Sequence, residues 1–203
     1  MDFDILFLFF ITSITLTLSP GPDILFVLSQ SLSNGFKSGF LVSLGLVSGL
    51  FFHTAFVSLG FGFLISEYPH IFKFIKYFGA LYLIFIAVNI IIINNKIELI
   101  KKRKKTLLKN YYTGLIMNII NPKVSLFFLS IFPLFLFDET LNVKIQFFIL
   151  GIIFIIQAIF VFSLISLFSS FIGKYIFSKK MNSFFKYFQS SVLFIIAFLL
   201  ILL

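Results

Sequence analysis

An all-α bundle of about six membrane-spanning helices is the fold this sequence predicts, and three observations predict it. Of 203 residues, 60% are hydrophobic and only 11% are charged, where an ordinary soluble domain carries about a quarter charged residues. The mean hydropathy is +1.14. The apolar residues also fall into six runs, each near the roughly 20 residues a helix needs to cross a bilayer. The length suits one transmembrane domain over residues 1–203, with no appended soluble domain. A spanning sheet would have to close into a barrel and would alternate in polarity over about ten residues, a pattern these runs lack.

The first run covers about 4–28 and contains Ser19-Pro20-Gly21-Pro22-Asp23. Its start, Met1-Asp2-Phe3-Asp4, is acidic where a secretory signal would be basic, so a retained helix is expected. A second run extends from about Phe40 to Ile65 and a third from Ile71 to Ile93. The polar segment 94–110 follows, with the cluster Lys101-Lys102-Arg103-Lys104-Lys105. A fourth run, 111–137, is interrupted by Asn121-Pro122-Lys123; a fifth covers 145–172 and a sixth 184–203.

Lysine and arginine near helix ends mark the cytoplasmic side. Twelve of the 16 basic residues lie in the connections after runs one, three and five, and three in those after runs two and four. The loop 94–110 is therefore expected in the cytoplasm and both termini outside, in a cell inner membrane. The net charge of +9 is then accounted for by topology and anionic lipid, and no nucleic-acid partner is expected. Zero cysteines exclude disulfides, thiol relays and thiolate metal sites. Thirty-four phenylalanines and no tryptophan are read as the bias of an AT-rich genome choosing its membrane apolars.

Two of the spanning runs contain proline, which needs other partners for the backbone groups it frees. The breaks at Pro20-Gly21-Pro22 and Pro122 lie half the chain apart, and Pro22-Asp23-Ile24-Leu25 aligns loosely with Pro122-Lys123-Val124-Ser125. Three spans per half would insert the halves, about 1–95 and 110–203, in opposite orientation. Matching broken helices in inverted halves point to a transporter's central site. A helix restarting after Pro22 offers free N–H groups to a carboxylate, and the residues before each break leave carbonyls for an ammonium group. A simple kink is the competing reading.

Asp23 is the only acid inside an apolar run, a position that costs roughly 2.5–3.5 kcal/mol on insertion scales. It reads as a proton-coupling group or an ammonium contact, or as the first-turn acid of a restarting helix. Lys123 is the only lysine deep in a run. It could pair with Asp23, bind a substrate carboxylate, or snorkel to the headgroups. Asn118 and Asn121 flank the same break, as substrate contacts or as interhelical glue. His53 shares a helix face with Gly45 and Gly49, whose spacing makes a groove for close helix approach. A packed polar contact or a pathway lining fits it better than a metal site. Gln157 is equally open, and His70 reads as solvated.

At these residues the chain resembles the LysE/RhtB family of amino-acid exporters. The matching features are Ser19-Pro20-Gly21-Pro22-Asp23, the Gly45…Gly49…His53…Gly60 pattern, Gly79-Ala80-Leu81-Tyr82-Leu83, and Gly114 through Asn118 to Asn121-Pro122-Lys123. They cover four helices in order, about two-thirds of the chain. The resemblance implies efflux of amino acids or similar small metabolites, driven by the proton gradient, with Pro20, Gly21, Pro22, Asn121, Pro122 and Lys123 in the site. It implies no cofactor, and homo-oligomers are compatible with it. Related branches that move cadmium or relay thiol reduction use ligands this chain lacks. A channel or assembly factor without gradient coupling is the alternative. A membrane-embedded enzyme is a weaker one, because HExxH is missing and Ser19, Ser29 and Ser125 have no obvious base.

Overall fold

The computed structural model describes residues 2–18, 21–61, 69–92, 106–169 and 179–202. Their helices are α1 (Phe3–Leu18), α2 (Pro22–Asn34), α3 (Phe36–Phe56), α4 (Pro69–Ile92), α5 (Leu107–Ile120), α6 (Pro122–Ser130), α7 (Val143–Leu167) and α8 (Lys179–Leu202). A π-helical turn, Val57–Phe61, extends α3, and a 3-10 turn, Phe132–Phe135, follows α6. No strand occurs among the described residues. The basic cluster Lys101–Lys105, with Ser19 and Pro20, lies outside the described residues.

The exterior is unlike that of a soluble protein, and several hydroxyl side chains are buried within the apolar core. Phe7, Phe56, Phe74 and Phe198 are exposed, whereas Ser13, Ser43, Ser130 and Ser166 are fully buried. An apolar exterior of this extent is matched by lipid rather than water. Among the described residues, Phe36–Gly60 and α7 are each long and apolar enough to span a membrane, and α1 with α2, bent by 57° between them, is long and apolar enough only as a pair. α4 and α8 have 24 residues each, about 36 Å of helix, with apolar stretches at Tyr77–Ile92 and Lys186–Leu199. This is a helical membrane bundle.

Packing fixes the helix directions. Gly45 of α3 abuts Tyr111 and Leu115 of α5, and Gly49 abuts Asn118. The register advances together, so α3 and α5 run parallel. The chain between them must return across the bundle, and α4 is the described helix that does so. α1 and α7 are also parallel, since Phe9 meets Phe154 and Ser13 meets Gln157. α3 and α7 are antiparallel, with Gly39 against Ser166 and Gly151 against Thr54.

Two of the boundaries that differ from the sequence expectation do so where polar residues are buried. The first run does not stop near residue 28; α2 continues to Asn34, and Gly35 alone joins it to α3. That glycine has φ 84°, a left-handed conformation other residues adopt poorly. The polar stretch Ser29–Ser38 reads as a connection, yet Ser29, Gln30, Ser31 and Ser38 are buried. Ser31 donates back to Val27 O and Ser38 to Asn34 O, which satisfies the hydroxyls inside helices. Lys37 consequently falls in the first turn of α3. Likewise α5 begins at Leu107, inside the segment read as loop, and Asn110 is buried.

The α3–α5 contact depends on glycine. A Cβ on Gly45 would collide with the Tyr111 carbonyl, and one on Gly114 with the Val42 carbonyl. These are backbone atoms that cannot swing aside, so the helices approach closely only because both positions lack a side chain. Gly60 has no such constraint, because a Cβ there would meet nothing within 4 Å. Gly45→Val is expected to remove most folded protein from detergent extracts, and Gly60→Ala to leave the yield near wild type. Monodisperse elution of Gly45→Val at wild-type yield would contradict the close-contact account.

Candidate functional site

The break between α5 and α6 is built by Asn121 and Pro122. The residue before a proline is driven from the helical region, and Asn121 is extended at φ −68°, ψ 108°. Pro122 then opens α6, where its missing N–H costs nothing. Asn121 Oδ1 caps the new helix by accepting from the Lys123 amide at 3.0 Å, and its own N–H donates to Asn118 O at 3.0 Å. The break before α2 has the same form. Gly21 is extended, Pro22 occupies the helix start, and Gly21 supplies no side-chain cap.

The two breaks therefore align at Gly21 with Asn121, Pro22 with Pro122, and Asp23 with Lys123. The burial pattern repeats from the first residue of each: buried, exposed, part-buried, buried. Equivalent positions of two restarting helices thus carry opposite charges.

The structure brings those charges together. Asn121 Nδ2 donates to Asp23 Oδ2 at 3.0 Å, and Lys123 is the opposite charge acting on Asp23. Lys123 Nζ does not snorkel; it donates to Leu16 O, a carbonyl near the end of α1, at 3.1 Å. Asp23 Oδ1 and Asn118 Oδ1 are buried with no hydrogen-bond partner among the described residues. Both residues, with Gly21, Pro22, Asn121 and Lys123, line an internal cavity of about 30 Å³. That is room for roughly two waters. Apart from Thr17, its remaining wall is apolar, including Leu16, Ile24, Leu50, Phe154 and Phe162.

His53 stands behind the break rather than in this cavity. Its Nε2 donates to Asn118 O at 3.2 Å, and its ring lies 5.5 Å from that of Phe128. With Phe128, Phe52 and Ser125 it borders a separate apolar cavity of about 210 Å³. Gln157 ties α7 to α1 by donating to Thr17 Oγ1 at 2.9 Å. Pro20 lies outside the described residues. Sequence reasoning missed Leu16, Thr17, Phe154 and Phe162. The signal that could have found them is the polar pair Ser13 and Thr17, four residues apart on α1 and bonded to Gln157 of α7. No group of three His, Cys, Asp or Glu able to hold a metal occurs among the described residues.

Asn121 makes two bonds, and two substitutions separate them. Asn121→Ala removes the α6 cap and the donor to Asp23, an expected loss of about 2 kcal/mol. Asn121→Ser restores a cap without the reach to Asp23 and is expected to recover about half of it. Thermal unfolding of the detergent-solubilised protein measures both; equal losses would count against separable bonds.

The comparisons with known proteins converge on one family. The family model described as LysE type translocator matches residues 14–203. Leucine efflux proteins of Salmonella choleraesuis, Salmonella typhimurium and Salmonella typhi are each 29% identical over 174 residues, covering 85% of this chain and 82% of the relative. No solved structure matches the chain. With broken helices meeting at a buried cavity and a family model spanning nearly its whole length, this chain is an integral membrane protein that belongs to the LysE type translocator family.

Proposed function

We propose that this protein exports small neutral amino acids with apolar side chains from the cytoplasm, taking the zwitterion between Asp23 and Lys123. The observation that carries the reading is the placement of these opposite charges at equivalent positions of two restarting helices, bridged by Asn121 at one cavity. A zwitterion enters a membrane protein at low cost only if both its ends are paired. An ammonium group has three donors and no acceptor, which suits the unpartnered oxygens of Asp23 and Asn118. A carboxylate suits Lys123 and the start of α2, whose N-cap, Gly21, has no side chain to cap the helix. The α6 start is already filled by Asn121, so one helix end, not two, receives the carboxylate.

Two internal charges thus exchange their mutual attraction for two pairs with substrate, and the charge balance of the site is conserved. The apolar wall of Leu50, Phe154 and Phe162 favours an aliphatic side chain, in keeping with relatives named as leucine efflux proteins. At about 30 Å³ the cavity is far below the ≈ 300–1,000 Å³ of small-molecule sites, as expected of a closed state between inward and outward openings. Exchanging the two halves of the chain maps the parallel pair α3–α5 onto α1–α7. That relation supports inverted halves, 1–95 and 110–203, that rock about the site. The basic connections put loop 94–110 in the cytoplasm and both termini outside the inner membrane. Protons are the coupling ion in this reading, bound at Asp23, the one acid deep in an apolar run.

Asp23→Asn is expected to abolish uphill, proton-dependent leucine accumulation in everted vesicles while the protein still inserts. Normal uphill accumulation by that variant would remove proton coupling at Asp23. The double variant Asp23→Lys with Lys123→Asp is expected to recover part of the activity that each single change loses; activity no better than the additive expectation would break the pairing. A reporter fused after Lys105 is expected to read cytoplasmic, and a periplasmic signal reverses the orientation.

A further inference from the structure

One end of the cavity is closed by phenylalanine. Along the parallel helices α1 and α7, three layers follow one another. Asp2 and Asp4 at the start of α1, with Val143 and Gln146 at the start of α7, line a wide cleft of about 1110 Å³. Further along, Phe9 on α1 and Phe154 on α7 have ring centres 6.5 Å apart. Beyond them, Leu16 and Thr17 on α1 and Phe162 on α7 belong to the cavity wall. Phe9 meets Phe132 and Phe135 edge-on, each at 5.2 Å, and Phe128 stacks on Phe132 at 4.1 Å. Edge-on and offset contacts of this kind hold aromatic rings in fixed orientations.

Phe154 closes this cluster from the cavity side, 5.4 Å from both Phe127 and Phe128. It is also part of the cavity wall and almost fully buried. A solute whose charged ends sit at Asp23, Asn118 and Lys123 has its side chain directed at the apolar wall that includes Phe154. The same solute must pass the aromatic layer to reach the cleft.

We propose that Phe154 determines which amino-acid side chains this protein moves, as the wall of the site against which the side chain packs and the inner face of the aromatic barrier to the cleft. The inference rests on the transport reading above. Because the ring is held by its neighbours, it cannot yield to a bulkier side chain without disturbing the whole layer. Volume at position 154 therefore acts on the choice of substrate, and volume elsewhere in the cluster acts on the rate for all substrates alike. Phe147, 6.4 Å from Phe132 and not part of the cavity wall, supplies the comparison.

The test measures export of labelled valine, leucine and phenylalanine by the full-length protein in everted vesicles, normalised to protein in the membrane. Phe154→Ala is expected to raise the phenylalanine-to-valine ratio at least about tenfold, the scale on which pocket volume discriminates. Phe154→Leu shifts it the same way by less, and serves if the alanine variant fails to insert. Phe147→Leu changes the three rates together and keeps the wild-type ratio. Wild-type export with an unchanged ratio in the Phe154 variants that insert overturns this inference alone. A wild-type protein that moves none of the three amino acids overturns the transport reading and this inference with it.

Discussion

The structure depends on the way the chain is interrupted at Asn121–Pro122 inside a medium that leaves no backbone group to water. In a bilayer an unsatisfied N–H or C=O has no solvent to fall back on. The break is tolerated where groups freed at Asn118, Asn121 and Lys123 are taken up close by. Asn118 O accepts from Asn121 N and from His53 Nε2, Asn121 Oδ1 takes the Lys123 amide, and Ser125 Oγ donates to Asn121 O. The neighbouring helices are positioned to supply these bonds. α3 can bring His53 to the break only because Gly45 and Gly49 let it lie directly against α5. The close helix pair, the buried histidine and the polar cavity are consequences of one local requirement.

Much of this arrangement was legible in the sequence. Proline within long apolar runs marks a broken span wherever it occurs, so both breaks and the charges beside them could be located without coordinates. The Gly45/Gly49/His53 face was legible too, because helical periodicity alone puts the three on one line. The limits of α2 and α5 were not, since Ser29–Ser38 and Asn110 are polar residues that the bundle buries. Ser31, Ser38 and Asn34 are accepted inside because internal partners replace water, whereas the Asn110 side-chain amide is buried with no hydrogen-bond partner among the described residues. Phenylalanine marks the opposite limit. Phe9, Phe127 and Phe132 form the core while Phe7, Phe74 and Phe198 face outward, and lipid and core accept the same ring equally well. Composition could therefore account for the number of phenylalanines without sorting those that build a barrier from those that touch lipid.

The two ends of the transport path, as proposed, are chemically unlike, and this follows from the residues that line them. Toward the wide cleft stands the aromatic layer, which excludes water. The cleft itself is acidic: the Thr140 hydroxyl and the Thr140 and Leu141 amides hold the Asp138 carboxyl below the usual carboxylate range, so it stays ionised. Gln146 fixes this loop with all of its hydrogen-bonding capacity, accepting from Phe137 and Asp138 amides and donating to Asp138 and Leu141 carbonyls. At the other end of α7, Ser166 lies 2.8 Å from Ser31 and donates to Phe36 O. Small buried hydroxyl side chains pack tightly against Gly39 there, where the opposite end is built of aromatic rings.

A two-fold relation between halves would give equivalent halves equivalent chemistry, and a carrier with identical ends has no built-in difference between inward and outward states. Here the equivalence is broken at the centre. Gly21 and Asn121 hold the same position, yet only Asn121 caps its helix; Asp23 and Lys123 share another equivalent position with opposite charge. The α2 start is left open to an anion, and the α6 start is closed by its own side chain. In the transport reading proposed above, a zwitterion has one favourable orientation, with its ammonium at Asp23 and Asn118 and its carboxylate at Lys123. On that proposal, substrate orientation follows from two differences within a repeated backbone form. The side chain then meets the same apolar wall in every proposed cycle, which is the condition for a single residue such as Phe154 to discriminate between substrates.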